Sequence, residues 1–269
     1  MALVIADVLN PFFPEVAAGV LHAADSRGWQ VVVYTTSSDL AKERQVSQTV
    51  SAQADACVGF LTDPDAIAAL ASAGVPLVLL DKEGTETTIP GVSIDFEAGV
   101  EQGISHLVER GHVRIAMIDN REHATYRPVD ARRDRFLSLA ARLGLPVDET
   151  WVLPAGNSVQ GGAAAMERLL AEHPDVTAVF AYNDLIALGA MRQAIALGRS
   201  VPGDLAVVGF DGLTLGELVD PPLTTLSIDK HRLGILAVEH VAAFLPGAVP
   251  PPSPPDPVIV PMLVCRGST

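Results

Sequence analysis

Short runs of apolar residues recur along this chain, each followed by a segment long enough for a helix, and this rhythm limits the fold more than any other feature. Ala2-Leu3-Val4-Ile5-Ala6 precedes a helix-like stretch from Pro14 to Arg27. Val31-Val32-Val33 follows, then a helix from about Asp39 to Gln53. Cys57-Val58-Gly59-Phe60 comes next, then a short helix from Pro64, then Leu77-Val78-Leu79-Leu80. Runs that are apolar throughout are expected of strands covered on both faces. Strands alternating with helices imply parallel sheets with right-handed crossovers, an α/β fold.

The pattern starts again after Asp95. Helices near Phe96–Arg110, Ala131–Leu143, Val159–Ala171 and Leu185–Leu197 alternate with runs beginning at Ile115, Trp151, Ala178 and Leu205. Two Rossmann-like halves thus follow one another, alike in element order and not in sequence. A strand-like run at Thr224–Ile228 leads to a helix near His231–Phe244. Seven prolines between Pro246 and Pro257 should form an extended connection. Val258-Ile259-Val260 and Leu263-Val264-Cys265 close the chain. Open parallel sheets bind ligands at the carboxyl ends of their strands. The positions to inspect are therefore Asp7 to Phe13, Asp81, Asp119 to Arg132, Asn157, Asn183-Asp184 and Asp211.

Charge and motifs exclude several functions. The 18 Lys and Arg residues face 32 Asp and Glu, a formal net charge of -14 that repels a phosphate backbone. No apolar run approaches the ~20 residues of a membrane span. Met1 to Ala6 is short and has no basic leader, so a signal peptide is not expected and the chain is expected to be cytoplasmic. Cys57 and Cys265 both sit in apolar runs and read as small core residues. No G-x-G-x-x-G, no G-x-x-x-x-G-K-[ST] and no G-x-S-x-G occurs, so dinucleotide, phosphate-loop and α/β-hydrolase chemistries lack their signatures. His106 and His112 are six apart, which does not set zinc ligands on one helix face. No metal, cofactor or catalytic set is expected, and binding is favoured over turnover.

An ordered set of motifs resembles the LacI/GalR family of bacterial transcription regulators over essentially the whole chain. Asn10-Pro11-Phe12-Phe13 is similar to the family's entry into its first helix. Arg110-Gly111-His112-Val113-Arg114-Ile115-Ala116 resembles its "GH-x-R-I-A" turn, and Tyr182-Asn183-Asp184 with Ala187 and Gly189 its "ND-x-x-A-x-G" helix start. Val201-Pro202-Gly203-Asp204, Val208-Gly209-Phe210-Asp211, Pro222-Leu223-Thr224-Thr225 and Arg266-Gly267-Ser268-Thr269 complete the series. The resemblance implies the periplasmic-binding-protein type I fold, two lobes joined by three crossovers near Asp95, Asp229 and Val258. The lobes would be 1–94 plus 229–257 and 95–228 plus 258–269. It further implies a homodimer that senses a small molecule, most plainly a sugar or sugar derivative, and passes a lobe rearrangement to operator DNA through a helix-turn-helix headpiece. The chain begins at the first strand, so the headpiece is expected to be absent and the chain alone is not expected to bind an operator. A sugar-transport binding protein is the alternative on the same fold, and a sugar-processing enzyme a third reading that lacks a nucleophile.

The residues expected to bind ligand each have a plainer alternative. Asp211 can accept two hydroxyl hydrogen bonds, or can be an ordinary turn aspartate. Arg132 stands four residues before Phe136, as the family's pocket arginine does, and a guanidinium suits hydroxyl pairs; its alternative is an exposed helix arginine, a description that fits Arg133 better. Asn183 either contacts ligand or caps its helix, with Asp184 sharing the task. Of Phe12 and Phe13, one can pack in the core while the other offers a wall to a sugar face or a base. Asn157 would make a pocket wall polar, or is a loop residue. Asp81 and Asp7 divide between ligand contact and turn. Ile228 stands where relatives often carry a polar side chain, and the loop Thr125-Tyr126-Arg127-Pro128 matches no ligand pattern.

Overall fold

A computed structural model describes residues 1–82, 88–120, 131–245 and 256–269. The chain divides into two compact units, residues 1–94 with 229–259 and residues 95–228 with 260–269 in their described parts. Residues 246–255 of the expected Pro-rich connection and the Thr125–Pro128 loop lie outside the described residues.

The first unit is a six-stranded sheet in the order β11-β5-β4-β3-β1-β2. Its strands are β1 (Ala2–Ile5), β2 (Val32–Thr35), β3 (Cys57–Gly59), β4 (Leu77–Leu80), β5 (Gly91–Ile94) and β11 (Val258–Ile259), all paired in parallel. Its helices are α1 (Phe12–Asp25), α2 (Leu40–Gln53), α3 (Pro64–Ser72) and α8 (Lys230–Ala242). Helix starts follow the chemistry of the orphan N–H groups. Asp39, Asp63 and Asp229 each turn a carboxylate onto backbone N–H groups of α2, α3 and α8, and Pro64 begins α3 where a missing N–H costs nothing.

The second unit is a six-stranded sheet in the order β12-β10-β9-β8-β6-β7. It contains β6 (Ile115–Asn120), β7 (Val152–Ala155), β8 (Ala178–Ala181), β9 (Ala206–Asp211), β10 (Thr224–Ser227) and β12 (Met262–Val264). Helices α4 (Phe96–Glu109), α5 (Ala131–Leu143), α6 (Val159–Glu172) and α7 (Asp184–Ala196) connect them. Phe136, Phe180 and Phe210 are among the largest side chains fully withdrawn from water. Each such burial contributes about 1.5–3 kcal/mol relative to exposure.

Five details differ from the sequence reading. β5 carries only two large apolar residues beside Gly91 and Ser93 and gave no apolar run, yet Val92 and Ile94 are buried. β2 is not covered on both faces: it lies at the sheet edge, with Val32 and Val33 55% and 42% exposed. β12 runs antiparallel to β10, an exception at the edge of an otherwise parallel sheet. β11 pairs with β5 at Val258↔Ser93 and Ile259↔Ile94, so the last crossing falls after Ile259 and not at Val258. Cys57 is buried as expected, whereas Cys265, just past the edge strand β12, is exposed.

Helices α6 and α7 pack backbone to backbone. A methyl group on Gly189 would overlap the carbonyl of Val159, and one on Gly162 the carbonyl of Ile186. The apolar residues beneath, Ala165, Met166, Ile186 and Ala190, are buried because the helices approach this closely. Gly189→Ala should therefore force the pair apart. Urea unfolding of the variant is expected to show a loss of about 2–3 kcal/mol, at the upper end of overpacking effects, with the far-ultraviolet spectrum of the folded protein unchanged.

Candidate functional site

In the second unit the carboxyl ends of the strands carry a row of polar residues in spatial order. Asp211 ends β9, Asn183 follows β8, Asp119 and Asn120 end β6, and Asn157 follows β7. Neighbouring strands stand about 4.8 Å apart, so the row is continuous at the scale of hydrogen bonds.

Asp211 is 6% exposed and has φ of 110°, a backbone conformation that L-residues rarely hold. The turn beyond it explains how it is kept. Gly212 takes φ of 70°, and a side chain there would strike Ser227. The Gly212 N–H donates to Thr225 Oγ1 at 3.3 Å, and Thr225 Oγ1 donates to Asp184 Oδ1 at 2.6 Å. The other oxygen of Asp184 accepts from the Leu213 N–H at 2.6 Å. Asp184 is fully buried. One carboxylate at the start of α7 thus holds two consecutive features of the turn after β9, so the "ND" and "LTT" motifs meet around Asp211. Sequence reasoning offered Asp184 only as a helix cap; the task it performs is visible once β9 and β10 are paired, Ser227 against Asp211.

Asn183 takes the cap alone. Its Oδ1 accepts from the Ile186 N–H at 3.0 Å, and its Nδ2 donates to Asn157 Oδ1 at 2.6 Å. The capping alternative for Asn183 is therefore realised, and it orients Asn157 with what remains of its amide. Asn157, in the loop before α6, is half-buried.

Arg132 is not a surface residue. It is 7% exposed, with its guanidinium carbon 3.5 Å from the Tyr182 ring centre, 4.3 Å from that of Phe96 and 5.3 Å from that of Phe210. Its Nη1 donates to the Tyr182 carbonyl at 3.1 Å. A weakly hydrated planar cation suits such stacking better than an ammonium would. Arg133 is half-buried and pairs with Glu149 and Asp134, and the basic neighbour Arg135 reaches Glu97 and Glu101. His106 and His112 are structural: His106 contacts Arg110 and Thr269, and His112 contacts Thr177. Burial first, and then the Arg110 charge, hold both imidazoles below their ordinary pKa.

In the first unit, Phe12 and Phe13 form edge-to-face contacts with each other and with Phe60, at ring separations of 5.2–5.9 Å. Phe12 is buried and Phe13 half-buried. Phe60, just after β3, completes this cluster and was not singled out from sequence because it reads as the end of an apolar run. Asp81 is 7% exposed and follows β4 with φ of 53°. Asp7 accepts from the Leu9 N–H at 2.9 Å and so closes a turn. Ile228 is buried, 2% exposed. Among the described residues, no group of three His, Cys, Asp or Glu side chains is placed to hold a metal ion, and no helix is long and apolar enough to cross a membrane.

Comparison with known proteins agrees with this architecture. Residues 104–269 match the family model of the periplasmic binding protein-like domain. The ribose operon repressor of Halalkalibacterium halodurans is 31% identical over 237 residues, 88% of this chain and 70% of the repressor. Among solved structures, the LacI family regulator of Arthrobacter sp. FB24 in complex with lactose superposes with a TM-score of 0.86 at 29% identity, covering 100% of this chain and 98% of that one. A CelR–cellobiose complex superposes with a TM-score of 0.88 at 31% identity, covering 100% and 84%. The chain belongs to the LacI/GalR family of transcription regulators and carries the family's effector-binding core.

The bracing of Asp211 can be separated from Asp211 itself. Asp184→Ala leaves the Leu213 N–H and the Thr225 hydroxyl without their acceptor and should cost about 3 kcal/mol in urea unfolding of the ligand-free protein. Asp211→Gly should cost less than about 1 kcal/mol, because glycine relieves the positive-φ strain while losing the carboxylate.

Proposed function

We propose that this core binds a carbohydrate effector through Asp211, Arg132, Asn183 and Asn157, with Phe12 or Phe13 as an apolar wall and Asp81 and Asp7 as further polar groups. The observation that carries the reading is Asp211. A buried carboxylate is held on a strained turn by a dedicated hydrogen-bond network, and strain of this kind persists where the surrounding structure fixes it for a purpose. A carboxylate accepts two hydrogen bonds from neighbouring hydroxyl groups, and an amide both donates and accepts. Aromatic rings such as those of Phe12 and Phe13 would suit the apolar face of a sugar ring. The lactose and cellobiose complexes among the structural relatives support the same ligand class.

Ligand binding would then bias the arrangement of the two units, and a DNA-binding headpiece would read that bias as a change in operator affinity. Coupling of this kind is worth typically about 1–3 kcal/mol between sites. A homodimer is part of the reading. The exposed Val32 and Val33 on the edge strand β2 support it, because an exposed apolar edge strand is a surface for pairing with another chain.

A thermal-shift screen of ribose, lactose, cellobiose and maltose tests this function. A sugar that binds only the folded protein stabilises it by about 2.7 kcal/mol at a hundredfold excess over Kd. One sugar is expected to raise Tm clearly, and Asp211→Ala and Arg132→Ala are each expected to remove that rise. A rise that survives both substitutions would overturn the assignment of these residues.

A further inference from the structure

Asn120 is the last residue of β6, in register with Ala155 of β7, and Ile118 two residues earlier pairs with Ala181 of β8. It therefore stands in the polar row between Asn183 and Asn157. The other two asparagines are engaged with each other and with the start of α7. Asn120 differs: its side-chain Oδ1 is withdrawn from water and has no hydrogen-bond partner among the described residues.

Native proteins pair nearly all such atoms, so one left unpaired is either a defect or a place reserved for a group that arrives later. A defect is easily mended at this position. Alanine or glycine would end the strand without introducing an acceptor. We propose that Asn120 is a specificity-determining residue of the site, and that its Oδ1 accepts a hydrogen bond from a hydroxyl group of the bound sugar. The proposal rests on the carbohydrate reading above and narrows it.

The chemistry of the acceptor narrows the ligand. A carbonyl oxygen accepts and cannot donate, so its partner must carry a hydrogen. A sugar hydroxyl qualifies. An ionised phosphate or carboxylate does not, since it offers lone pairs to a lone pair. Asp119 immediately before, buried at 1% exposure, and Asp211 two strands away place carboxylates, not cations, in the same row. The substrate class is thus a sugar whose hydroxyl groups on this side are unmodified, not a sugar phosphate and not a sugar acid charged at that position.

Calorimetric titration of the parent protein, Asn120→Ala and Asn120→Asp with ribose, lactose and cellobiose tests it, together with Tm of each protein without sugar. For a sugar that binds the parent, Asn120→Ala should weaken binding about tenfold, the usual effect of one lost uncharged hydrogen bond whose partner stays desolvated. Asn120→Asp, which keeps an acceptor, should stay within about threefold of the parent. Without sugar, Asn120→Ala should melt no lower than the parent, because it removes an unpaired atom and breaks no bond. Parent-like affinity in Asn120→Ala, or a lower Tm in its sugar-free form, would overturn the proposal while leaving the carbohydrate reading standing. Absence of binding by the parent to any of the three sugars would overturn both.

Discussion

The buried carboxylate of Asp184 is the interaction on which the arrangement of the polar strand-end row of the second unit depends. It opens α7, yet it does not cap that helix; Asn183 does. Instead it receives the Leu213 N–H and the Thr225 hydroxyl, which in turn receives the Gly212 N–H. Three elements that meet nowhere else in sequence are joined at one side chain: the start of α7, the turn after β9 and the strand β10. An anion with no exposure is tolerated because both its oxygens are occupied by short hydrogen bonds and it lies at a helix N-terminus, where the backbone dipoles favour negative charge. Remove it and Asp211 loses the frame that keeps its φ at 110°. The closeness of packing reinforces this: Gly209 lies against the Asp184 carboxylate, and a side chain there would displace it.

A division of labour follows among residues that look alike in sequence. Asn183, Asp184, Asn157 and Asp211 are all short polar residues following strands, the usual composition of a loop. Their partners separate them. Asp184 braces, Asn183 caps and orients, and Asp211 is what the bracing holds. Arg132 is likewise set apart from Arg133 and Arg135 by its surroundings. Three aromatic rings flank its guanidinium, whereas the other two pair with carboxylates that are themselves largely exposed, Glu149 by 68% and Glu97 by 61%. Surface ion pairs of that kind contribute little, but a buried cation stacked between rings is fixed in position and direction.

The strand–helix alternation and the family motifs made the architecture legible, since apolar runs such as Leu77–Leu80 and Ala178–Val179–Phe180 can be little else than buried strands. What escaped has physical causes. β5 is legible only through its pairing with β4 and β11, because Gly91 and Ser93 interrupt its hydrophobicity. The exposure of β2 depends on its being last in the sheet order, a property of topology that no local pattern encodes. Cys265 escaped for a similar reason, since it follows an edge strand in an apolar stretch. Among candidate site residues, Asp211, Arg132 and Asn183 were singled out through motifs. Asn120 lay within the stretch to inspect, Asp119 to Arg132, but was not singled out, because nothing distinguishes an asparagine at a strand end until its partners can be counted. Phe60 was not, because an aromatic at the end of an apolar run reads as core.

The hydrogen-bonding character of the edge and the charge of the whole chain point in one direction. Asp211 and Asp119 are carboxylates and Asn120 ends the same strand as Asp119, and Arg132, the strong donor of the group, gives one N–H to the Tyr182 carbonyl and its faces to aromatic rings. An anionic effector would meet acceptors where it needs donors, in the field of a chain carrying a net charge of -14. A neutral polyol meets the reverse: each hydroxyl can donate to the edge, and its C–H faces can lie against rings. Discrimination of this type is strong, because a buried acceptor left facing another acceptor is costlier than a merely missing contact. On the proposed carbohydrate reading, the same polarity that makes the chain a poor partner for phosphate would favour hydroxyl-rich, uncharged molecules.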